Sequence, residues 1–209
     1  MLSKLQYISQ GTTAAAQVRN VFAVLDYGAD WIQVRWKNAS ELDLSILCEK
    51  IKKRCVDYNA VFIVNDHIAI AHKVDADGVH LGLTDDTIVQ ARNVLGKEKI
   101  IGGTANTIDN VVQRTNEGCN YIGLGPFRYT TTKEKLSPII GLDGYRTIIG
   151  SLKEQGIAYP PIYAIGGIEV SDMEAIKSVG IHGIALSGLL TQQPQFISHI
   201  KNILSSCVR

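Results

Sequence analysis

Short apolar runs recur along the whole chain at regular intervals. Eight such runs, rich in β-branched residues, occupy residues 5–9, 31–35, 60–65, 77–81, 99–103, 121–125, 161–167 and 182–188. Near-continuous apolar runs of this length are typical of parallel strands that are covered on both faces. The segments between them place apolar residues at three- and four-residue steps, most clearly over 41–58, 85–96 and 107–118, which is the period of a helix. The pattern therefore predicts strands and helices in alternation.

Glycines mark the ends of several predicted helices. They stand at Gly28, Gly96, Gly118, Gly156 and Gly180. The left-handed backbone conformation that often closes a helix costs least without a Cβ atom. We expect these five glycines to be C-terminal caps.

Eight strands with their crossover helices predict one closed parallel barrel with helices outside, an α/β fold of the (βα)8 or TIM-barrel type. The 209 residues show no break in composition, so we expect a single domain over 1–209. The longest connection without a repeat pattern, residues 126–145, follows the sixth strand. Long connections are uncommon in compact domains unless they serve a function, and we interpret this one as an active-site loop that closes over the ligand.

Composition narrows the class of partner. Hydrophobic residues make up 45% of the chain and charged residues 20%, and the formal net charge is +1. This balance predicts a globular protein without the broad positive field that captures nucleic acid or an anionic membrane. There is no apolar run near the ~20 residues of a spanning helix and no pattern of a cleaved leader. We therefore expect a cytoplasmic protein with a small-molecule partner.

The four cysteines do not suggest a metal cluster. Cys48, Cys55, Cys119 and Cys207 form no C-x-x-C pair and have no histidine at a zinc-finger spacing. We expect them to be reduced, buried thiols without a chemical role.

Polar residues follow the predicted strands at the end where (βα)8 barrels bind their ligands. In strand order, this set comprises Gln33, Arg35 and Lys37; Asn65 and Asp66; His80 and Asp85; Thr104; Thr130, Thr132 and Lys133; Gly166 and Gly167; and Ser187 and Gly188. Because parallel strands end at one rim of a barrel, we expect these groups to form a ring there.

Two parts of this ring suit anions. The glycine pairs after strands seven and eight stand where many barrels bind a phosphate through backbone N–H groups, although they could serve only as tight turns. Arg35, Lys37 and Lys133 would suit a diphosphate, although a single lysine after a strand is often only solvated.

The two aspartates of the ring suit a divalent cation. Asp66 and Asp85 offer the oxygen ligands that Mg²⁺ takes alongside substrate phosphates. Each also precedes a predicted helix, so N-capping is the alternative role.

His80 lies among apolar residues, which favours a hydrogen-bonded histidine in or beneath the pocket over a catalytic base. The Gly-Leu-Gly motif at 123–125 lacks the rest of a dinucleotide fingerprint.

The same segments resemble the thiamine-phosphate synthase family, in order and spacing, over nearly the whole chain. The resemblance rests on WIQVRWKN (31–38), FIVNDHIAIA (62–71), DGVHLGLTDD (77–86), IIGGTANT (100–107), YIGLGPFRYTTTK (121–133) and YAIGGI (163–168). The last motif and GVHLG are shared with other phosphate-binding barrels. The combination of Q-x-R-x-K, N-D, G-x-H-L-G-x-x-D and G-P-x-x-x-T-x-T-K is specific.

The resemblance implies a transferase that joins 4-amino-2-methyl-5-hydroxymethylpyrimidine diphosphate to a thiazole phosphate, giving thiamine phosphate and pyrophosphate, with Mg²⁺ as cofactor. Pyrophosphate would leave first, and the thiazole nitrogen would capture the pyrimidine-methyl cation. Carried over by position, the residues that hold the pyrimidine diphosphate are Gln33, Arg35, Lys37, Asn65 and Lys133, with Thr104 beside the pyrimidine. Arg35, Lys37, Thr104 and Lys133 are the implied catalytic residues. Asp66 and Asp85 would bind Mg²⁺, and the thiazole phosphate would be received by Thr130, Thr132, Gly167, Ser187 and Gly188.

The chain departs from the family pattern at a few positions. They are Trp36, His67, Leu83, Thr104, Asn106 and Gly188. If strand alternation continues past Arg35, Trp36 points away from its flanking cations and lies outside the pocket.

Two alternative functions share the barrel and its phosphate-binding end: a thiazole tautomerase, and a non-catalytic barrel that senses a phosphorylated metabolite. The sequence leaves the oligomeric state open.

Overall fold

The computed structural model describes residues 2–129 and 138–206. In these residues eight parallel strands form a closed barrel in chain order, with the last strand paired to the first. The strands are β1 (Leu5–Ile8), β2 (Trp31–Val34), β3 (Val61–Asn65), β4 (Gly78–Leu81), β5 (Ile100–Ala105), β6 (Tyr121–Leu124), β7 (Ile162–Ile165) and β8 (Gly183–Leu186). The predicted (βα)8 barrel is confirmed.

Helices follow the strands on the outside of the barrel. They are α1 (Ala14–Asp26), α2 (Glu41–Asp57), α3 (Ile68–Lys73), α4 (Ile88–Leu95), α5 (Ile108–Asn116), α6 (Gly141–Glu154), α7 (Met173–Ser178), α8 (Gly188–Gln192) and α9 (Ile197–Ser205), with single 3₁₀ turns at Val170–Asp172 and Pro194–Phe196. The side chains of Thr13, Ser40, Thr87 and Thr107 cap α1, α2, α4 and α5. The five glycines predicted to end helices all have φ between 62° and 97°, so that prediction is confirmed. No helix in the described part of the chain is long and apolar enough to cross a membrane.

Strand alternation divides the core into two regions. Outward residues such as Ile32 and Val34 join the large cluster that packs on the helices. Inward residues Trp31, Tyr121 and Tyr163 meet across the barrel, and the Trp31 ring lies edge-on, 4.9 Å from both tyrosine rings. Trp31 therefore fills a layer of the barrel interior.

Gly102 makes room for one of these rings. It pairs with Tyr121 across the β5–β6 ladder, and a Cβ atom on Gly102 would lie 2.1 Å from Cζ of Tyr121. A side chain at position 102 would displace the ring, so the absence of a Cβ there allows the interior to be filled by a tyrosine.

The segment after β6 differs in part from its prediction as a loop over 126–145. Helix α6 begins at Gly141, so the last five residues of that range are helical. Tyr145 is buried and its hydroxyl donates to the Leu124 carbonyl at 2.8 Å. The first residues of the segment run beside the end of β7, where the backbone of Phe127 and Arg128 donates to Ile165 and Gly166. These bonds tie the start of the segment to the rim of the barrel.

Candidate active site

The ring of polar residues lies at the carboxyl ends of the strands. Asn65 ends β3, and Thr104 stands one residue before the end of β5. Gly166 follows β7 and Ser187 follows β8. Because the eight strands are parallel, these positions share one rim of the barrel. Thr130, Thr132 and Lys133 lie outside the described residues.

A cleft of about 290 Å³ opens beside β2 and β3. It is lined by Trp36, Lys37, Asn38, Leu44, Asn65, Asp66 and His67. The structure thus brings Lys37 together with Asn65 and Asp66, as the strand order predicted. The expectation that Trp36 lies outside the pocket is wrong. Strand β2 ends at Val34, so the alternation of a strand no longer governs the direction of residue 36.

The carboxyl groups of Asp66 and Asp85 lie within hydrogen-bonding distance of each other. Burial first, and then the hydrogen bond and negative charge of Asp85, raise the pKa of Asp66 to about 7, while Arg35 and Lys37 act in the opposite direction. Two acidic and two basic side chains from the ends of β2, β3 and β4 therefore interact around the carboxyl group of Asp66. This is the arrangement on which the proposed cation and diphosphate sites depend.

Helix capping does not explain either aspartate. The N-cap of α3 is His67, and the N-cap of α4 is Thr87, which forms a capping box with Gln90. The capping alternative is therefore wrong for both aspartates. Instead, the backbone of Asp66 is left-handed, with φ of 65°, and a carboxylate oxygen of Asp85 accepts from the Gly82 amide at 2.6 Å. Such a backbone is uncommon outside glycine, although aspartate adopts it more readily than most residues.

Two buried residues, which sequence reasoning missed, hold the backbone of Arg35. The Ser9 hydroxyl accepts from the Arg35 amide at 2.9 Å, and the Gln17 side chain donates to the Arg35 carbonyl at 3.2 Å and to Gly11 at 2.9 Å. Ser9 and Gln17 are buried. A polar residue at the end of the apolar β1 run was the available signal for Ser9, whereas no local pattern marks Gln17.

A chain of hydrogen bonds crosses the barrel interior beneath the rim. The Gln33 amide donates to Gln6 at 3.3 Å, and the Gln6 amide donates to the Tyr121 hydroxyl at 3.2 Å. That hydroxyl lies 3.0 Å from Nδ1 of His80, whose Nε2 lies 3.1 Å from the Thr104 hydroxyl. Burial raises the pKa of Tyr121 well above its ordinary value, so the phenol stays protonated.

This interior network links two residues that the family resemblance assigns to the pyrimidine, Gln33 and Thr104. It confirms that His80 is buried and hydrogen-bonded beneath the pocket. Gln6 and Tyr121 were missed as functional support. The signal for Gln6 was an amide within an apolar strand. No local pattern marks Tyr121 as a support, because its partners Gln6 on β1 and His80 on β4 are distant in sequence.

The glycines after β7 are required by the backbone. Gly166 and Gly167 have φ of 94° and 66°, and a Cβ on Gly167 would lie 2.9 Å from both the Arg128 Cβ and the Tyr129 carbonyl oxygen. Gly166 and Gly167 therefore form a tight turn, as the alternative interpretation predicted. Binding of a phosphate by this turn would be an additional role. The Arg128 guanidinium donates to the Gly167 carbonyl and to both carboxylate oxygens of Asp172, each of these two at 2.9 Å. Sequence reasoning did not single out this cation.

The end of β8 presents a half-buried serine. Ser187 directly precedes the short helix α8, which begins at Gly188. The Ser187 carbonyl accepts from the Thr191 hydroxyl at 3.1 Å, and that hydroxyl lies 2.7 Å from the hydroxyl of Tyr7. Contacts from β1 and α8 thus hold the backbone at this part of the rim.

The cysteines that the structure describes take no part in the site. Cys48, Cys55 and Cys119 are buried and free, as expected. Burial raises the pKa of each thiol to about 12, so they remain protonated. Cys207 lies outside the described residues.

The closed barrel with its polar rim places the chain in the class of (βα)8 barrel proteins, which bind ligands at the carboxyl ends of their strands. More particularly, the chain belongs to the thiamine monophosphate synthase family, whose model matches residues 5–190. A thiamine-phosphate synthase of Flavobacterium johnsoniae is 55% identical over 93% of this chain and 92% of that protein. One from Flavobacterium psychrophilum is 53% identical over 92% of this chain and 93% of its own length.

A solved structure agrees with this assignment. The thiamine phosphate pyrophosphorylase of Pyrococcus furiosus superposes with a TM-score of 0.81 at 27% sequence identity, covering 97% of each chain. The similarity covers nearly the full length of both chains.

Proposed function

We propose that this protein condenses 4-amino-2-methyl-5-hydroxymethylpyrimidine diphosphate with a thiazole phosphate to give thiamine phosphate and pyrophosphate. The observation that carries the proposal is the meeting of Asp66 and Asp85 with Arg35 and Lys37 at the carboxyl ends of β2, β3 and β4. Membership of the family and the names of its relatives give the same reaction class. A thiazole tautomerase would not need these diphosphate and cation groups.

The reaction needs stabilisation of a leaving group more than it needs a base. The bond between the pyrimidine methylene carbon and the diphosphate oxygen breaks, and its electron pair leaves with pyrophosphate. The thiazole nitrogen then donates its lone pair to the methylene carbon, forming the new C–N bond. Arg35, Lys37 and Lys133 stabilise the negative charge on the departing diphosphate. The site residues also hold the nucleophile in line.

The acidic pair fits Mg²⁺. Among the described residues, no group of three or more His, Cys, Asp or Glu side chains could hold a metal ion. Mg²⁺ nevertheless commonly uses one or two carboxylates and completes its shell with water and substrate phosphates. The raised pKa of Asp66, due first to burial and then to Asp85, supports this assignment, because neighbouring carboxyl groups favour a shared proton or a bound cation. Bound through Asp66 and Asp85, Mg²⁺ would neutralise charge on the diphosphate.

The remaining residues divide between the two substrates. Gln33, Asn65 and Thr104 would contact the pyrimidine diphosphate, and the interior network supports two of them by holding Gln33 and Thr104 in place. The thiazole phosphate would be received by Thr130, Thr132, Gly167, Ser187 and Gly188. The partners are thus small molecules, and we place the reaction in the cytoplasm.

The test is an assay of the purified protein with both substrates and Mg²⁺, following thiamine phosphate and pyrophosphate. We expect both products in equal amounts, loss of activity with EDTA, and recovery with added Mg²⁺. Asp66→Asn should lower turnover strongly, whereas Asp86→Asn, at the exposed neighbour of Asp85, should not.

Each alternative gives a different result in the same assay. Isomerisation of the thiazole without pyrophosphate release would indicate a tautomerase. Binding of either substrate without turnover would indicate a sensor. Activity that survives EDTA and Asp66→Asn would overturn the proposed role of the acidic pair.

A further inference from the structure

Arg114 on α5 is a buried arginine that the reaction described above does not use. Its side chain is only 4% exposed, although arginine is almost never fully buried unless it is paired. Its guanidinium donates to three acceptors: the Gly82 carbonyl at 2.7 Å, the Thr104 carbonyl at 3.2 Å and the Glu117 carboxylate at 2.7 Å. The arginine therefore joins the end of β4 to the end of β5.

Both backbone acceptors stand next to groups of the proposed site. The amide of Gly82 donates to the Asp85 carboxylate at 2.6 Å, and the carbonyl of the same residue accepts from Arg114. Gly82 therefore connects Arg114 with Asp85. The hydroxyl of Thr104 lies 3.1 Å from Nε2 of His80, so Arg114 also holds the backbone of a residue in the interior network. One side chain thus fixes the spacing between the Asp85 turn and the Thr104 hydroxyl.

The barrel makes space for this side chain. Gly103 faces α5, and a Cβ atom there would lie 2.8 Å from Cδ of Arg114. Residues 83–87 are exposed, so few packing contacts hold the turn that carries Asp85. The charge-assisted hydrogen bond from Arg114 to the Gly82 carbonyl is therefore one of the contacts that hold this turn.

We infer that Arg114 is a positioning residue that orients Asp85 and Thr104 toward the same cation-bound diphosphate substrate. This inference rests on the proposed function. Arg114 touches no substrate itself and acts through the Gly82 and Thr104 carbonyls. Its loss should therefore affect the diphosphate and Mg²⁺, and leave the thiazole phosphate, at the ends of β7 and β8, unaffected.

The test compares Arg114→Lys with Arg92→Lys. Lysine keeps the charge but cannot donate to three acceptors in the geometry of the guanidinium fork. Arg92 is a matched control, because it also donates to backbone carbonyls, at Lys99 with 2.6 Å, and to the Asn120 side chain at 2.9 Å. These contacts lie before β5 and β6, at the opposite end of the barrel from the site.

Binding is measured by calorimetry with Mg²⁺ and inorganic pyrophosphate, and kinetics by varying each substrate separately. We expect Arg114→Lys to weaken Mg²⁺–pyrophosphate binding at least tenfold and to raise the KM for the pyrimidine diphosphate, with the KM for thiazole phosphate unchanged. Arg92→Lys should lose a similar amount of thermal stability with binding unchanged. Equal binding in the two variants, or an equal rise in both KM values, would overturn the inference.

A second variant covers the case in which Arg114→Lys does not fold. Glu117 lies half-buried at the C-terminal end of α5, where its carboxylate pairs with Arg114. Glu117→Gln removes this charge and retains a hydrogen-bond acceptor. It should give a smaller loss of pyrophosphate binding, about two- to fivefold, and unchanged binding would overturn the inference. A wild-type protein that binds Mg²⁺ and pyrophosphate but forms no thiamine phosphate would instead contradict the proposed function.

Discussion

The hydroxyl of Tyr121 on β6 lies 3.0 Å from Nδ1 of His80 on β4, in the middle of the network that connects Gln33 with Thr104. The Tyr121 ring also packs edge-on against Trp31, with the ring centroids 4.9 Å apart. The packing of the barrel interior and the orientation of the site are therefore set by the same side chain. Buried polar networks of this kind stiffen a core when every member has its partner.

Removing the Tyr121 hydroxyl should therefore change both stability and substrate binding. Tyr121→Phe leaves buried polar atoms of Gln6 and His80 without that partner, which costs about 1–3 kcal/mol. We expect a loss of this size in urea unfolding and about a tenfold rise in the KM for the pyrimidine diphosphate, since 1.4 kcal/mol corresponds to tenfold. Tyr163→Phe is the control, because its hydroxyl donates to Ser3 at 2.8 Å at the other end of the barrel. A similar KM change in both variants would contradict the role of the network.

The turn after β7 provides a test of backbone conformation against crowding. Gly167 and Gly156 have nearly the same φ, 66° and 62°, but only Gly167 has neighbours where a Cβ would be placed. Gly156→Ala should cost about 1–2 kcal/mol from the left-handed conformation alone. Gly167→Ala should cost more and also raise the KM for thiazole phosphate. Equal unfolding free energies, with unchanged kinetics, would show that the close approach of Arg128 has no consequence.

Lys133 belongs to the catalytic set that the family resemblance implies. Lys133→Ala should slow turnover by about 10²–10³, the usual effect of removing one group that stabilises developing negative charge. We expect little loss of stability in thermal unfolding. Unchanged turnover in the purified variant would remove Lys133 from the mechanism.

His182 should make stability depend on pH. Burial, with a smaller effect from the charge of Lys4, lowers the pKa of His182, so the folded protein binds a proton there at a lower pH than the unfolded chain does. The unfolded chain binds a proton there near pH 6.5. Because the unfolded state then binds more protons, His182 lowers the free energy of unfolding as the pH falls below about 6.5.

His182→Gln removes this titration. We expect the wild-type free energy of unfolding to decrease more than that of the variant between pH 7 and pH 5, measured by urea unfolding at several pH values. Parallel curves for the two proteins would rule out His182 as a source of the pH dependence.

Local sequence patterns were sufficient for the architecture. The β-branched runs marked the strands, and the glycines after the helical segments marked the helix ends, because both signals depend on neighbours within one turn or one strand. The rule that parallel strands end at one rim then placed Asp66 and Asp85 together, although they come from different strands. The same local reasoning was wrong for Trp36 and for the start of α6, because strand and loop boundaries cannot be read to the residue from composition.

The amino-acid sequence by itself determined the barrel, its family and the ring of groups at the carboxyl ends of the strands, since each depends on periodicity or on short motifs. Only the tertiary structure decided which residues support that ring. Gln6 reaches Tyr121 across 115 positions of chain, and Arg114 reaches Gly82 across 32. Such contacts exist only after the barrel closes and excludes water. The same closure brings the carboxyl group of Asp66 next to that of Asp85, as the order of the strands predicted.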